Sequence, residues 1–539
     1  MRRTHGFGII TSILAFLTSM PLASGKEPET SKTFQVEAYD ILIKNGFVVD
    51  GTGKNGFLAD IAIKDGKIHQ IGTFAKTTSK KTIDASGMVV APGFIDLHSH
   101  ADRNIMKHPD VENNIRQGIT TVLAGNCGSS PLPLAKYMDS LMAKGISLNM
   151  ALLAGHNTIR KAVMGKENRS PTKTEQAHME KLMEQAMTDG AFGLSTGLKY
   201  VPGAYAKTDE VVALAKVASA HKGFYATHMR EEGKQILASI DETLAIGREA
   251  RIPVHISHHK VVGKTMWGTS RKTLSTINNA RNAGLDVTLD QYPYTASSTT
   301  LSILFPAWAL AGGQKEIKKR LDDPQTREKV KQGIIDNIHF DRGAGDPARV
   351  YISAYKPDPA LAGKNLAEVT ALKGRKVTVE NAAETLMDLL YVGEGRGVFH
   401  AMDEEDVVRI MKNLHVSVAT DGSAVEYGKA VPHPRNYGTF PRVLRKYVKE
   451  DKVMTLETAI YKMTGLPAQR LNLKNRGHIK ENMMADIVIF NADEVNDPSD
   501  WLSPHQYATG IPHVIINGQM VIDNNQRSKY FPGSILKRP

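Results

Sequence analysis

The sequence predicts an α/β protein: a (β/α)8 TIM-like barrel with a small β-sandwich domain built from both termini and an insertion before the last barrel strand. Three observations predict it. Short apolar runs alternate with helical patterns from residue 91 onward, turn-punctuated hairpin patterns lie near both ends, and the alternation lapses between residues 294 and 416.

At the N-terminus, Arg2 and Arg3 precede an apolar stretch over 7–22, and Ala23-Ser24-Gly25 supplies small residues for cleavage. This is the layout of a secretory signal peptide (1–25). It predicts a periplasmic or secreted protein with no stable membrane anchor after cleavage. Residues 26–37 are polar and read as a linker. Over 38–92, YDILIKNGFVVDG, FLADIAIKDGKIHQIG and KTIDASGMVVAPG alternate with period two and carry Asn-Gly and Asp-Gly turns, which predicts antiparallel hairpins. ADIVIFNADEV and HVIINGQMVID, within 476–530, supply the other half of the same β-domain.

Residues 93–475 read as the barrel. Its strands are expected at 93–100, 120–128, 149–156, 191–198, 224–230, 254–260, 286–294 and 416–423. Between them, KTEQAHMEKLMEQAMTDG repeats Met179, Leu182, Met183, Ala186 and Met187 at helical spacing and stops at Gly190, so its Met stripe reads as core. TDEVVALAKVASAHKG and TLSTINNARNAG repeat the plan. Residues 300–400 are too long for a structureless loop and read as an insertion or lid at the barrel mouth.

Composition narrows the function. With 41% hydrophobic and 23% charged residues, the 539-residue chain is neither disordered, collagen-like nor a multi-span membrane protein. The net charge of +12 is spread among interspersed acids and bases, and aromatics reach only 6%, so a nucleic-acid surface is not expected. One cysteine, Cys127, excludes an intrachain disulfide.

Barrel active sites lie at the C-terminal ends of the strands, and those ends carry His98, His100, Cys127, His156, His228, His258 and Asp421. His98 and His100, two residues apart, share one face of a strand and can reach one ion. The alternative for Cys127 is a small buried hydrophobe, but its place at the rim favours a thiolate ligand. Asp421 can ligate metal, act as general base, or both. Imidazole, thiolate and carboxylate together suit zinc.

These residues resemble the D-aminoacylase (N-acyl-D-amino-acid deacylase) family of the metal-dependent amidohydrolase superfamily. The likeness spans nearly all of the chain after residue 25. It includes APGFIDLHSH, GNCG, AFGLSTGLKYVPG, ATHMREE, VHISHHK, DQYPYTASST, TDGS, PHPRNYGTFPRVL and GHIKENMMADIVIF. The resemblance implies a tight zinc site of Cys127, His228 and His258, and a weaker second position at His98, His100 and Asp421. Cys127 would bridge the two, with Lys199 the weaker alternative bridge. It implies that Tyr200, Lys260, Tyr292, Arg435 and, less firmly, Ser298 hold the substrate carboxylate; the alternative for Tyr200, Tyr292 and Ser298 is packing at the mouth. His156 is expected to be structural, and His255 and His259 to be ordinary surface or helix residues. The implied reaction is amide hydrolysis of a small N-acyl-D-amino acid, with Asp421 carrying the proton. A cyclic amide, hydantoin or dipeptide is the competing substrate, and a metal-free scaffold the remote alternative. Lys199, beside Tyr200, would favour an acidic side chain such as D-glutamate.

Overall fold

Period-two apolar spacing makes Tyr39–Val48 a strand, with an irregularity between Ile43 and Gly46 where it pairs with Phe57–Lys64. The computed structural model describes residues 39–74 and 77–538. The signal-peptide and linker readings fall outside these residues. Asp65 and Gly66, both at positive φ, turn Phe57–Lys64 back into antiparallel Lys67–Gly72, as an Asp-Gly hairpin requires.

The third segment departs from the hairpin expectation. Ser79–Asp84 and Val89–Pro92 both pair with Tyr39–Val48 in parallel, one after the other along the strand. Alternation reports which face is buried and carries no information about strand direction. Val89–Pro92 then pairs antiparallel with Ile487–Phe490, so strands from both ends of the chain share one nine-stranded sheet. Its apolar core contains Ile41, Ile43, Ile61, Ile63, Ile487, Ile489 and Ile515.

Each of the eight runs expected to be central strands contains a parallel strand, shorter than its motif. Phe94–Asp96, Ile119–Ala124 and Asn149–Leu152 form one sheet. Past Leu153, Ala154–Gly155 begins a second, continuing through Gly193–Gly197, Phe224–His228, Val254–Ile256, Val287–Gln291 and Val416–Val418. The first and last strands meet just beyond their ends. There the Asp421 amide donates to the His98 carbonyl (2.7 Å), and the His100 amide to the Gly422 carbonyl (2.6 Å). Full burial of these strands explains their apolar sequences.

Helices return the chain between strands. Lys173–Asp189 opens on a Thr172/Glu175 capping box, ends at Gly190 (φ 115°) and buries Met179, Met183 and Met187. Between the last two parallel strands, Ser297–Thr300, Val350–Tyr355 and Gly395–Phe399 form an antiparallel sheet packed with helices Gln314–Asp322, Pro324–Phe340 and Val379–Val392. This unit has its own core, centred on Leu304, Ile334, Ile338, Ile352, Leu386 and Phe399. Among the described residues no helix is long and apolar enough to cross a membrane.

One buried cation stands apart. Lys462, on helix Leu456–Met463, is 1% exposed and donates to the Asn413 carbonyl. Burial pushes its pKa down to about 7. Below pH 7 the ammonium is charged both folded and unfolded, and the fold bears the full cost of burying it. That cost fades as pH rises from about 7 to the ordinary lysine range near 10.5. Lys462→Met is therefore expected to raise the melting temperature, and to raise it more at pH 6 than at pH 10. An equal gain at both pH values would contradict this account.

Candidate active site

The strand ends are pinned before any ligand is placed. Asp96, fully buried, accepts from the His98 amide (3.0 Å), the Thr420 amide (3.0 Å) and the Thr420 hydroxyl (2.5 Å). It thereby ties the first strand end to the last. Asp290 does the same for the middle strands. It accepts from the His258 amide (2.6 Å), contacts His255 Nε2 (2.7 Å) and lies 3.4 Å from His98 Nδ1. Burial opposes its ionisation, but His98 and His255 outweigh burial and hold it well below the usual carboxylate range.

Cys127 follows the second strand in the left-handed region (φ 52°), between Gly125 and Gly128. A Cβ on Gly125 would sit 2.4 Å from the Leu153 carbonyl oxygen, and one on Gly128 2.1 Å from Asn157 Oδ1. Only glycine fits either position, and the turn they allow puts the sulfur at the rim. His258 (φ 35°) and Asp421 (φ 49°) are also left-handed. Non-glycine residues held there mark a surrounding structure that overrides local preference, a pattern that clusters at functional sites.

Three imidazoles converge on the sulfur: His98 Nε2 at 3.3 Å, His258 Nε2 at 3.5 Å and His228 Nδ1 at 3.7 Å. Burial alone would keep the thiol protonated; His98 and its neighbouring imidazoles reverse this and hold Cys127 well below the ordinary thiol range. Beside it, Asp421 Oδ1 lies 3.1 Å from His100 Nε2 and 3.6 Å from His98 Nε2. Against its own burial, Arg435 and His100 keep Asp421 ionised. His98, Cys127 and His258 thus form one group with metal-ligand spacing, and His98, His100 and Asp421 another. A cysteine sulfur, imidazole nitrogens and a carboxylate within this reach are a donor set that fits zinc.

A third such group, His228, Glu232 and His258, was not visible in the sequence. Glu232 is 1% exposed and accepts from Lys260 Nζ (2.5 Å) and Arg342 Nη2 (2.7 Å). Arg342 comes from the segment joining Pro324–Phe340 to Val350–Tyr355, so the insertion is tied by a buried ion pair to the base of the site.

Two readings of histidines need correction. His255 and His259 are fully buried, not on the surface. His255 holds Asp290, and His259 Nε2 bonds Thr273 (2.9 Å). The repeated histidines of VHISHHK hid this, since sequence spacing does not tell an inward side chain from an outward one where the strand ends at Ile256. His156 contacts Glu210 at 2.8 Å, remote from the sulfur cluster in its bonding. Lys199 meets Glu231 (2.8 Å) and Asp341 (2.9 Å), so its charge is already matched.

Over the cluster lies a cavity of about 880 Å³ whose wall includes His100, Cys127, Tyr200, Ser298, Asp421 and Arg435. Arg435 Nη1 reaches Asp421 Oδ2 (2.8 Å), and Nη2 donates to the Ser298 carbonyl (3.1 Å). The Tyr200 ring packs 4.6 Å from that of His228. Lys260 and Tyr292 are set back from this wall. Lys260 contacts His258 Nδ1 (2.7 Å), and the centre of the Tyr292 ring lies 5.6 Å from the Lys260 ammonium and 4.9 Å from the Arg435 guanidinium. The buried Tyr292 hydroxyl has no hydrogen-bond partner among the described residues.

Comparison with known proteins agrees with this architecture. The amidohydrolase family model matches residues 81–320 and 396–522, leaving out much of the insertion. The D-aminoacylase of Alcaligenes xylosoxydans xylosoxydans is 37% identical, covering 93% of this chain and 98% of the relative. The N-acyl-D-glutamate deacylase of the same organism is 36% identical over 93% and 97%. The crystal structure of N-acyl-D-glutamate deacylase from Bordetella bronchiseptica, complexed with zinc and a phosphonate mimic of the tetrahedral intermediate, superposes with a TM-score of 0.79 at 34% identity. It covers 93% of this chain and all of that one. The chain therefore belongs to the D-aminoacylase family of metal-dependent amidohydrolases.

Proposed function

We propose that this protein is a zinc-dependent deacylase that hydrolyses the amide bond of N-acyl-D-amino acids, giving a carboxylate and a free D-amino acid. The observation that carries the reading is the buried Cys127 sulfur ringed by His98, His228 and His258, with Asp421 beside it on the cavity wall. Cys127, His228 and His258 would hold the tighter zinc, His98, His100 and Asp421 would face a weaker position, and Cys127 would serve both.

Zinc, when bound, polarises the amide carbonyl and acidifies water. Asp421 takes the proton from the attacking water and returns it to the amide nitrogen, which leaves as the amine when the C–N bond breaks. The water oxygen remains in the carboxylate product. Arg435 presents a planar guanidinium to the substrate carboxylate. Tyr200 and Ser298 flank it on the wall, and Lys260 and Tyr292 support it from behind. Asp290 fixes the His98 ring and the His258 backbone, the outer support that metal-binding histidines need.

The same reading extends to the architecture and location. The two parallel sheets form one closed eight-stranded barrel (93–475), joined at His98–Gly422 and at Leu153, with residues 38–92 and 476–530 as the two halves of a β-sandwich. The signal-like N-terminus supports a periplasmic or secreted enzyme.

Paired N-acetyl-D- and N-acetyl-L-amino acids, assayed before and after zinc chelation, test the activity. Hydrolysis confined to D-substrates and lost on chelation is expected. Hydrolysis confined to L-substrates or cyclic imides would overturn the reading.

A further inference from the structure

Seven basic side chains line the cavity against four acidic ones, so it favours anions. Three of these bases are already paired: Lys199 with Glu231 and Asp341, Arg230 with Glu242, Arg435 with Asp421. Of the four without a partner among the described residues, Arg396 and Arg103 are the guanidiniums. Neither guanidinium has an ion-pair or hydrogen-bond partner among the described residues, although both stand on the cavity wall.

The fold aims Arg396 deliberately. It lies on strand Gly395–Phe399, where it is the one exposed residue, opposite Thr300 of Ser297–Thr300. Residues two apart along a strand share a face, so Arg396 projects with Ser298 and Thr300, both on the cavity wall. The neighbouring glycines leave the other face to the insertion core. A Cβ on Gly395 would sit 2.7 Å from Leu301 Cδ1, and one on Gly397 2.8 Å from Phe399 Cζ. Ser298 also accepts from Arg435 through its carbonyl. It thus contacts the guanidinium assigned to the substrate carboxylate and shares a sheet face with the free one. Arg103 follows His100 on the turn Ala101–Arg103.

We propose that Arg396, with Arg103, forms a second anion subsite in this cavity, so that the preferred substrate carries a carboxylate beyond the one held by Arg435. Guanidinium groups suit a carboxylate bidentately and lose little on desolvation when one is supplied. The second carboxylate belongs either to the amino-acid side chain or to the acyl group. This inference rests on the deacylase reading above.

The test compares kcat/KM for N-acetyl-D-glutamate with its neutral isostere N-acetyl-D-glutamine, and for N-succinyl-D-leucine with N-butyryl-D-leucine. In the native enzyme one acidic member is expected to exceed its neutral partner by tenfold or more, and which pair responds locates the carboxylate. In Arg396→Gln that ratio is expected to fall to within about twofold of unity, chiefly through KM, with zinc content and melting temperature retained. Equal rates within both pairs, or a ratio that survives Arg396→Gln, would overturn the subsite and leave the deacylase reading standing. No hydrolysis of any of the four by the zinc-loaded protein would overturn both.

Discussion

Replacing Cys127 by alanine is expected to release the tightly held zinc and reduce activity at ambient zinc to background. The sulfur lies within 3.7 Å of His98, His228 and His258 together. Without it those imidazoles lose their shared anionic partner, and two buried histidines and a carboxylate remain on each side. Losing only an outer support of a metal ligand lowers affinity about 10–100-fold, so losing the bridging thiolate should cost at least the upper end of that range. The substitution removes one small side chain from a rim position, and the parallel-strand core does not depend on it. Elemental analysis after gel filtration, with a melting curve to verify folding, measures the outcome. A folded Cys127→Ala protein with native zinc content and activity would remove the cysteine from the site.

Asp421→Asn is expected to separate metal binding from turnover. The amide preserves the size of the side chain and a carbonyl oxygen for Arg435, and on the proposed assignment Cys127, His228 and His258 would remain to hold the tighter zinc. What disappears is a base that Arg435 and His100 keep ionised in a buried setting. General acid–base catalysis contributes about 10²–10⁴ in rate, and kcat should fall by that amount while zinc content stays near native. A loss under tenfold would mean that another group carries the proton.

Much of this site was legible because its chemistry sits at strand ends. His98, His100, Cys127, His228, His258 and Asp421 each follow an apolar run, and parallel strands buried on both faces leave such runs unbroken. The glycines around Cys127 were visible too, although their close approach to Leu153 and Asn157 was not. Less legible were the groups that act between distant segments. Asp290 sits inside an apolar strand pattern and looks like any residue of DVTLDQYPY until three histidines from two other strands are set around it. Glu232 and Arg342 are 110 positions apart, and only the docking of the insertion brings them together. The direction of Ser79–Asp84 and Val89–Pro92 was misread for a similar reason: pairing partners are a tertiary property, while alternation is a local one. Lys199 suggested acidic-substrate selectivity by position alone. Its two carboxylate partners, Glu231 and Asp341, were not visible in the sequence, whereas Arg396 on the same wall has none among the described residues.

The most direct test of the central claim, a zinc centre organised by Cys127, is X-ray absorption at the zinc edge on the purified protein loaded with one equivalent of metal. A single sulfur scatterer at about 2.3 Å together with nitrogen or oxygen scatterers at about 2.0–2.1 Å is predicted. The sulfur shell should be missing from Cys127→Ala reconstituted with excess zinc. A native spectrum showing nitrogen and oxygen alone would contradict the account.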